Sequence, residues 1–165
     1  MNFILKSNYG EYIEVAKNIL AKYEDKLVLP VDFGYVEDGA RKECELGNVP
    51  AEISAIDIGS KTIALYENEI ANAATVFVNG PMGVFEEAPS EAGTKAVFEA
   101  LANTKAYTVV GGGDSVTAAK KYKVTDKLGY VCTGGGALIR FLTGEELPVV
   151  KALRHAAAKF GSDRK

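Results

Sequence analysis

Glycine runs are the residues of this chain whose type and spacing suggest chemistry. Of its 17 glycines, eight fall in three short stretches: Gly80 with Gly83, then Gly111, Gly112 and Gly113, then Gly134, Gly135 and Gly136. Glycine costs roughly 0.5–1 kcal/mol relative to alanine inside regular structure, so such stretches belong where the backbone turns sharply or touches another group closely. A glycine loop exposes backbone N–H groups, and a following helix adds a partial positive charge. These loops are therefore candidate sites for anions such as phosphates.

A steric explanation competes with the ligand hypothesis, because glycine runs also allow tight turns and close packing of a helix on a strand. A single run would favour neither explanation. Two runs one αβ unit apart, with a third glycine-containing loop before them, favour a ligand. Two common phosphate motifs are absent: the chain has no Gly-x4-Gly-Lys-Ser/Thr, and no Gly-x-Gly-x-x-Gly closes its first βαβ unit. The pattern therefore indicates neither a P-loop nor a dinucleotide fold.

The segments around the glycines predict that all three stretches meet at one edge of a sheet. Apolar runs at 75–78, 107–110 and 128–132 predict strands, and each leads into one stretch. Helices are predicted after the stretches, at about 91–102, through Ala118 and Ala119, and through Leu138, Ile139 and Leu142. This alternation predicts a parallel sheet covered on both faces. Since right-handed crossovers put every strand-to-helix loop on the same edge, the loops should converge where open α/β folds bind ligands.

The rest of the chain gives weaker patterns, without tandem repeats or low-complexity linkers. Residues 12–23 have helical spacing, and the apolar run 27–31 predicts a buried strand. The polar stretch 32–50, with Asp38-Gly39 as a turn signal, predicts a hairpin or loop. We also expect a loop after 55–58 that enters a helix at about 61–71, and a last helix at about 148–160.

Asp114, directly after the second glycine run, has two interpretations. Asp is a favoured N-cap and would stabilise the following helix by about 1 kcal/mol. A carboxylate beside bound phosphates would repel them, and Mg²⁺ held between the two removes this conflict, since Mg²⁺ is usually bound by one carboxylate plus phosphate oxygens. His155, in the last helix, is expected to be an exposed polar residue and not a catalytic base.

Composition excludes several classes of function. The 165 residues suit one domain, 1–165, with 47% hydrophobic and 25% charged residues. A net charge of −3 without a basic tract gives no indication of nucleic-acid binding. No window is long and apolar enough to span a membrane, and the N-terminus lacks the layout of a signal peptide. Cys44 and Cys132 lack metal-ligand spacing, so we expect reduced thiols in a cytoplasmic protein.

The ordered set of motifs resembles phosphoglycerate kinase. The matching segments are NGPMGVFE at 79–86, GGGDS at 111–115, CTGGGA at 132–137 and LPVVKAL at 147–153. The segment DIG at 57–59 is similar to the family's adenine-side loop. In its shorter connections the chain looks more like archaeal members. Ser60 stands where the family often has proline, and Cys132 where it often has serine.

The resemblance implies a fold, ligands and roles for single residues. The implied fold is the Rossmann-like C-terminal domain of the family, a three-layer αβα arrangement with a mainly parallel sheet, here incomplete at its N-terminal side. The implied ligands are ADP or ATP with Mg²⁺. For the nucleoside, the resemblance implies that Gly59 lies beside adenine, that Asn79, Pro81 and Val84 line the pocket, and that Glu86 binds the ribose hydroxyls. For the phosphates, it implies that Gly111, Gly112 and Gly113 lie near them, that Asp114 serves the magnesium-bound phosphates and that Ser115 contacts phosphate. Gly134, Gly135 and Gly136 would give amides to the phosphoryl group in transfer.

The resemblance also has gaps. The family's N-terminal domain, which holds 3-phosphoglycerate, has no counterpart in this sequence, and neither does the Gly-Gly-x-Lys loop with its phosphate-binding lysine. Binding of 3-phosphoglycerate is therefore expected only with that missing domain. Three hypotheses follow: a piece of an enzyme, a truncated module that binds a nucleotide without chemistry, or a fragment that survives by association. We expect self-association through an uncovered sheet edge.

Overall fold

Two three-stranded sheets and the helices around them make up the protein. The computed structural model describes residues 9–48 and 54–161. The strands are β1 Asp32–Glu37, β2 Ala40–Glu45, β3 Asp57–Ile58, β4 Thr75–Asn79, β5 Tyr107–Gly111 and β6 Tyr130–Cys132. The helices are α1 Tyr12–Tyr23, α2 Ser60–Asn72, α3 Ala92–Asn103, α4 Gly113–Lys121, α5 Gly136–Leu142 and α6 Pro148–Phe160. Single 3-10 turns lie at Glu24–Lys26, Ala88–Ser90 and Thr125–Lys127.

The second half of the chain forms the expected parallel sheet. Its strand order is β4-β5-β6, and both neighbouring pairs are parallel. Successive strands are joined through α3 and α4, as the alternating apolar runs predict. This arrangement confirms the expected class, an α/β fold with a parallel sheet between helices.

The hydrophobic core lies between this sheet and the helices α2, α3 and α4. Phe98 and Val110 are fully buried, as are Ala118 and Ala119 on α4. On α3, Val97 and Leu101 are buried and Ala100 packs against the cluster. The other face of the sheet is covered less completely, since the side chain of Phe77 is 42% exposed.

A hairpin and a short third strand form the second sheet. β1 pairs antiparallel with both β2 and β3. The two-residue turn is Asp38-Gly39, with φ of 54° and 75°. Positive φ at both central residues fits the type I′ turn, whose twist matches that of the flanking strands. The expectation of a hairpin or loop in this stretch is confirmed as a hairpin over 32–45; residues 49 and 50 lie outside the described part.

A buried carboxylate joins this sheet to α2. The Asp32 carboxylate accepts hydrogen bonds from the amides of Lys61 and Thr62, both at 2.8 Å. The Thr62 hydroxyl donates a third bond, so the first turn of α2 is capped from β1. Burial alone would raise the pKa of the Asp32 carboxyl. The hydrogen bonds from Thr62 and from the two amides outweigh that effect and lower this pKa.

The prediction of a buried strand at 27–31 is wrong. These residues form no strand in the described structure, and Leu27, Val28, Leu29 and Val31 are 36–52% exposed. The backbone is held by isolated bonds: Tyr66 Oη donates to the Val28 carbonyl, and Leu46 N donates to the Val31 carbonyl. An apolar run becomes a buried strand only when neighbouring strands satisfy its edges. Apart from the Val31–Leu46 bond at its end, this segment pairs with no strand among the described residues.

Three helices have the predicted positions but leave apolar residues exposed. α1 spans the predicted residues 12–23, and α6 spans the predicted 148–160, yet neither has a buried residue. α5 has none either, and Phe141 in it is 66% exposed. His155 is exposed, as expected. Among the described residues, no helix is long and apolar enough to cross a membrane.

Asp32 should make stability depend on acid pH. Because the folded pKa of Asp32 lies below its unfolded value of 3.8, the unfolded chain takes up the proton first as pH falls. The stabilisation is therefore complete above that unfolded pKa and is lost as pH falls through the folded one. In urea unfolding between about pH 5 and 2, Asp32→Asn should show a lower free energy of unfolding at neutral pH and a weaker fall with acid. An unchanged acid slope would contradict this assignment.

Candidate functional site

The three glycine stretches meet at the carboxyl edge of the parallel sheet. The strand registers pair Asn79 with Gly111 and Gly111 with Cys132, so the last residues of β4, β5 and β6 lie in one row. Each of the three loops begins directly after this row. The convergence expected from the alternating pattern is confirmed, and the loops face the same side of the sheet.

Packing inside the protein explains some of the glycines. A Cβ on Gly111 would lie 2.5 Å from Cδ2 of Leu138, and one on Gly83 would lie 2.5 Å from the Ile56 carbonyl oxygen. Gly112 has φ of 90°, and Gly135 has φ of 45°, and residues with a side chain rarely adopt such positive φ values. At Gly59 a Cβ would lie 2.3 Å from Cγ of Asp32. The steric explanation therefore accounts for these positions.

Gly113 and Gly136 have no such explanation. Nothing in the described structure lies within 4 Å of a Cβ built on either residue, and both are exposed. Neither is among the glycines with positive φ. They begin α4 and α5, where a side chain would cost the fold nothing. Because these two residues have no side chain, the backbone at both helix starts is open to a ligand.

Free amide donors lie at the same two places. Within the described residues, the N–H groups of Gly113 and Asp114 in α4 have no acceptor, and neither have those of Gly135 and Gly136 at α5. The first amides of a helix lack partners inside the helix, and the helix dipole adds a partial positive charge there. Two helix starts with open glycines on neighbouring strands form a surface that can bind an anion.

Asp114 does not cap its helix. The N-cap residue of α4 is Gly112, and no side chain caps this end. Asp114 lies in the first turn with its side chain exposed beside the free amides. The cap interpretation is therefore wrong, and the carboxylate is free to contact a group outside the chain.

Ser115 lies inside the site wall. It is fully buried, and its hydroxyl accepts a hydrogen bond from the Gly80 amide at 2.7 Å. In this arrangement it joins the first glycine loop to the second. Its expected contact with phosphate would need this hydroxyl to turn outward.

Three hydrogen bonds hold the middle of the loop 80–86, and neither of the residues that accept them was identified from the sequence. The Thr94 hydroxyl, fully buried at the start of α3, accepts bonds from the amides of Met82 at 3.1 Å and Gly83 at 3.3 Å. Val84 N donates to the Ile56 carbonyl at 2.9 Å. Thr94 carries no sequence signal, because only the folded chain places it under this loop.

Lys121 holds the far end of the same loop. Its Nζ donates to the Phe85 carbonyl at 2.5 Å and pairs with Glu91 at 2.7 Å. The hydrogen bond from Lys121 to Glu91 lowers the pKa of the Glu91 carboxyl. Burial, with the nearby Glu91 charge, raises the pKa of Tyr122 to about 12. Lys121 lies at the opposite end of α4 from Asp114, so it supports the loop and does not reach the free amides.

The other expected nucleotide-binding residues lie around this loop. Asn79, Val84 and Glu86 are exposed, while Pro81 is half-buried. Gly59 is buried beside Asp32. Val84 borders a cavity of about 350 Å³ that is lined by the segments 55–58 and 82–84 together with Pro30 and Phe33. The cavity thus brings the segment before Gly59 together with the loop that carries Pro81, Val84 and Glu86.

No described group of three or more His, Cys, Asp or Glu side chains could hold a metal by itself. Asp114 is one exposed carboxylate beside free amides. This donor set fits Mg²⁺ that arrives on a nucleotide, since such an ion takes its other ligands from phosphate and water. Cys44 and Cys132 are free thiols.

Thr94 gives a test of how the loop is held. Thr94→Val keeps the shape but removes the acceptor, which leaves two amides without a partner. We expect the free energy of unfolding to fall by about 1–3 kcal/mol. Thr94→Ser keeps the hydroxyl and is the matched control. In urea unfolding, its free energy of unfolding should fall less than that of Thr94→Val. Equal losses for the two variants would mean that the methyl group, and not the hydrogen bonds, matters.

The chain is similar to known proteins over most of its length. The family model of phosphoglycerate kinase matches residues 3–145. Similar curated proteins are the phosphoglycerate kinases of Methanothermus fervidus, 39% identical over 93% of this chain, and Latilactobacillus sakei, 49% identical over 86% of it. These matches cover 37% and 36% of the two relatives.

Solved structures give the same result. Phosphoglycerate kinase from Pyrococcus horikoshii superposes with a TM-score of 0.86 at 36% identity, over 96% of this chain and 40% of that one. The enzyme from Coxiella burnetii gives a TM-score of 0.80, also at 36% identity, over 86% and 38%. The chain thus spans less than half the length of the proteins it resembles. With a family match over most of its residues and the same fold, the chain belongs to the phosphoglycerate kinase family.

Proposed function

We propose that this chain is the nucleotide-binding portion of a phosphoglycerate kinase and binds ADP or ATP with Mg²⁺ at the carboxyl edge of the parallel sheet. The reaction it would serve is the transfer of phosphate between 1,3-bisphosphoglycerate and ADP in glycolysis and gluconeogenesis, in the cytoplasm. The observation that carries the proposal is the pair of open glycines, Gly113 and Gly136, at two adjacent helix starts with free amides. Nothing within the described fold requires glycine there.

The arrangement of the loops supports one direction of binding. Val84 offers exposed apolar surface beside the 55–58 segment, which suits the base. Glu86, exposed two residues later, is available to the ribose hydroxyls. The phosphates would then extend toward Gly111, Gly112 and Gly113, with Gly112 N-capping α4. Asn79 and Pro81 complete the near wall.

The chemistry proposed for this chain is positioning. Phosphoryl transfer depends on holding the reacting groups in line and on donors aimed at the developing charge, and not on a protein nucleophile. We assign Gly134, Gly135 and Gly136 to this role, because the amides of Gly135 and Gly136 are free and their helix start points at the shared edge. Asp114 would hold the magnesium of the nucleotide, and that ion neutralises phosphate charge when bound.

A binding module without turnover is the second candidate, and the cations near the site favour it for this chain alone. Lys121 is occupied by Phe85 and Glu91. Arg140 lies exposed in the last turn of α5. The sequence has no Gly-Gly-x-Lys motif to supply the family's phosphate-binding lysine. The acceptor, 3-phosphoglycerate, would require the family's other domain.

Self-association is also proposed. The extended segment 27–31 carries four apolar side chains that are at least 36% exposed, and its backbone has no strand partner among the described residues. Among the described residues β4 and β6 are the outer strands of the parallel sheet, and uncovered sheet edges and apolar patches of this kind pair with other chains. Apolar residues of α1, α5 and α6 add to this surface.

Nucleotide binding is tested by calorimetry on folded protein. Titration with Mg·ADP or Mg·ATP should give weak binding, because Lys121 is held by Phe85 and Glu91 and leaves the phosphates mainly to backbone amides. Gly113→Val, which adds bulk at an open helix start, should abolish the signal. Gly39→Asn, in the hairpin turn, is a control that should leave binding unchanged. No heat at millimolar Mg·ADP with the folded chain would count against the proposal.

The role of Asp114 is tested by Asp114→Asn. Since the carboxylate caps nothing, we expect stability to change by less than about 1 kcal/mol, the size of its interaction with the helix dipole. The magnesium dependence of ADP binding should disappear. Asp126→Asn, in an exposed 3-10 turn, is the control. Magnesium dependence that persists in Asp114→Asn would refute the assignment.

The isolated chain should show no measurable kinase activity. Orientation of two substrates can contribute roughly 7–11 kcal/mol to lowering a barrier, and this chain offers no described group that holds the second substrate. A coupled assay for ATP consumption that depends on 3-phosphoglycerate checks the expectation, with preparations free of host enzyme. Turnover above the level of a mock purification would prove it wrong.

A further inference from the structure

One guanidinium group links three separate segments of the chain. Arg41, on β2, donates from Nη1 to Asp57 Oδ2 at 2.8 Å and to the Pro89 carbonyl at 3.1 Å. Its Nη2 donates to the Ile58 carbonyl at 2.8 Å and to Glu43 Oε1 at 3.1 Å. Few other side chains could make these contacts, because they use the planar fork of the arginine.

The surroundings are shaped around this ion pair. The Asp57 side chain is fully buried, and that of Arg41 is 20% exposed. The Asp57 carboxylate also accepts bonds from the amides of Ile58 at 2.9 Å and Gly93 at 2.8 Å. A Cβ on Gly93 would lie 2.3 Å from Asp57 Oδ1, and one on Gly34 would lie 2.7 Å from Arg41 Nη2.

Both walls of the proposed base pocket depend on this pair. Ile58 and Asp57 directly precede Gly59, and the neighbouring Ile56 carbonyl accepts the bond from Val84 N at 2.9 Å. Glu43, which Arg41 holds, accepts bonds from the Ser60 amide at 3.0 Å and hydroxyl at 2.7 Å. The 59–60 turn and the Val84 corner are thus fixed to one another through β2.

A buried ion pair is a poor source of net stability, because desolvation offsets the attraction between the charges. Its directional hydrogen bonds instead select one geometry. We propose that Arg41 is a positioning residue of the nucleotide pocket, which sets the spacing between the 59–60 turn and Val84 through Asp57 and Glu43. This inference rests on the proposed function and extends it to a residue that touches no ligand.

The phosphate end of the site should be independent of Arg41. The open amides of α4 and α5 are placed by the β4-β5-β6 ladder and by the Ser115–Gly80 bond. None of these contacts involves the hairpin. Loss of Arg41 should therefore weaken recognition of the adenosine part and leave recognition of the phosphates unchanged.

The first experiment needs no ligand: amide hydrogen exchange by NMR on Arg41→Lys, which keeps the charge but not the fork. Exchange should become about tenfold faster at Val84, Ser60 and Gly93, as expected for local opening. It should stay unchanged at Tyr107, which donates to the Ala74 carbonyl. Lys42→Met is the matched control, because Lys42, the next residue on β2, pairs with Glu37.

If Arg41→Lys does not fold, Glu43→Met isolates one branch of the network. It removes the acceptor of Ser60 and leaves the Arg41–Asp57 pair in place. Faster exchange is then expected at Ser60 and not at Val84. Faster exchange at every amide, or at none, in either variant would overturn the inference and leave Arg41 a structural residue.

The second experiment compares two ligands, Mg·ADP and inorganic diphosphate, by calorimetry. Arg41→Lys should weaken the binding of Mg·ADP at least about fivefold, equivalent to about 1 kcal/mol. The binding of diphosphate should be unchanged. Equal weakening of both ligands would overturn positioning of the base pocket. If the wild-type chain binds neither ligand, the proposed function fails, while the exchange pattern still decides whether Arg41 fixes the two walls.

Discussion

The parallel register of β4, β5 and β6 is the constraint on which the site depends. It places Asn79, Gly111 and Cys132 in one row, so the three loops that follow begin at the same edge. The two outer loops are then fixed against the middle one: Ser115 binds the Gly80 amide, and Leu138 packs on Gly111. Since these contacts hold the backbone before any ligand is present, the amides of α4 and α5 need little reorganisation to bind an anion.

Two kinds of glycine serve this edge. Gly83 and Gly111 lack a side chain because the protein itself fills the space, whereas Gly113 and Gly136 face open space. This distinction separates glycines that make the loops fold from those that leave the backbone accessible. A sequence cannot make it, because both kinds stand in the same short runs.

The sequence predicted what local patterns determine. The helices, the parallel strands and the hairpin turn follow from apolar spacing and from Asp38-Gly39, and the motif order identified the family. The predictions that failed depend on which other residues a segment contacts in the folded chain. Residues 27–31 have the composition of a buried strand, but burial needs neighbouring strands, which are not among the described residues. Asp114 has the position of a helix cap, but Gly112 takes that place. Thr94, Lys121 and Arg41 act through contacts between segments far apart in the chain.

The proposed function depends above all on binding of nucleotide phosphates by the open amides at the starts of α4 and α5. NMR titration of the ¹⁵N-labelled chain with Mg·ADP tests it most directly, because each amide reports separately. The largest shifts should occur at Gly113, Asp114, Gly135 and Gly136, and Tyr107 at the opposite end of β5 should not shift. Saturable binding whose shifts fall elsewhere, with these four amides unmoved, would contradict it.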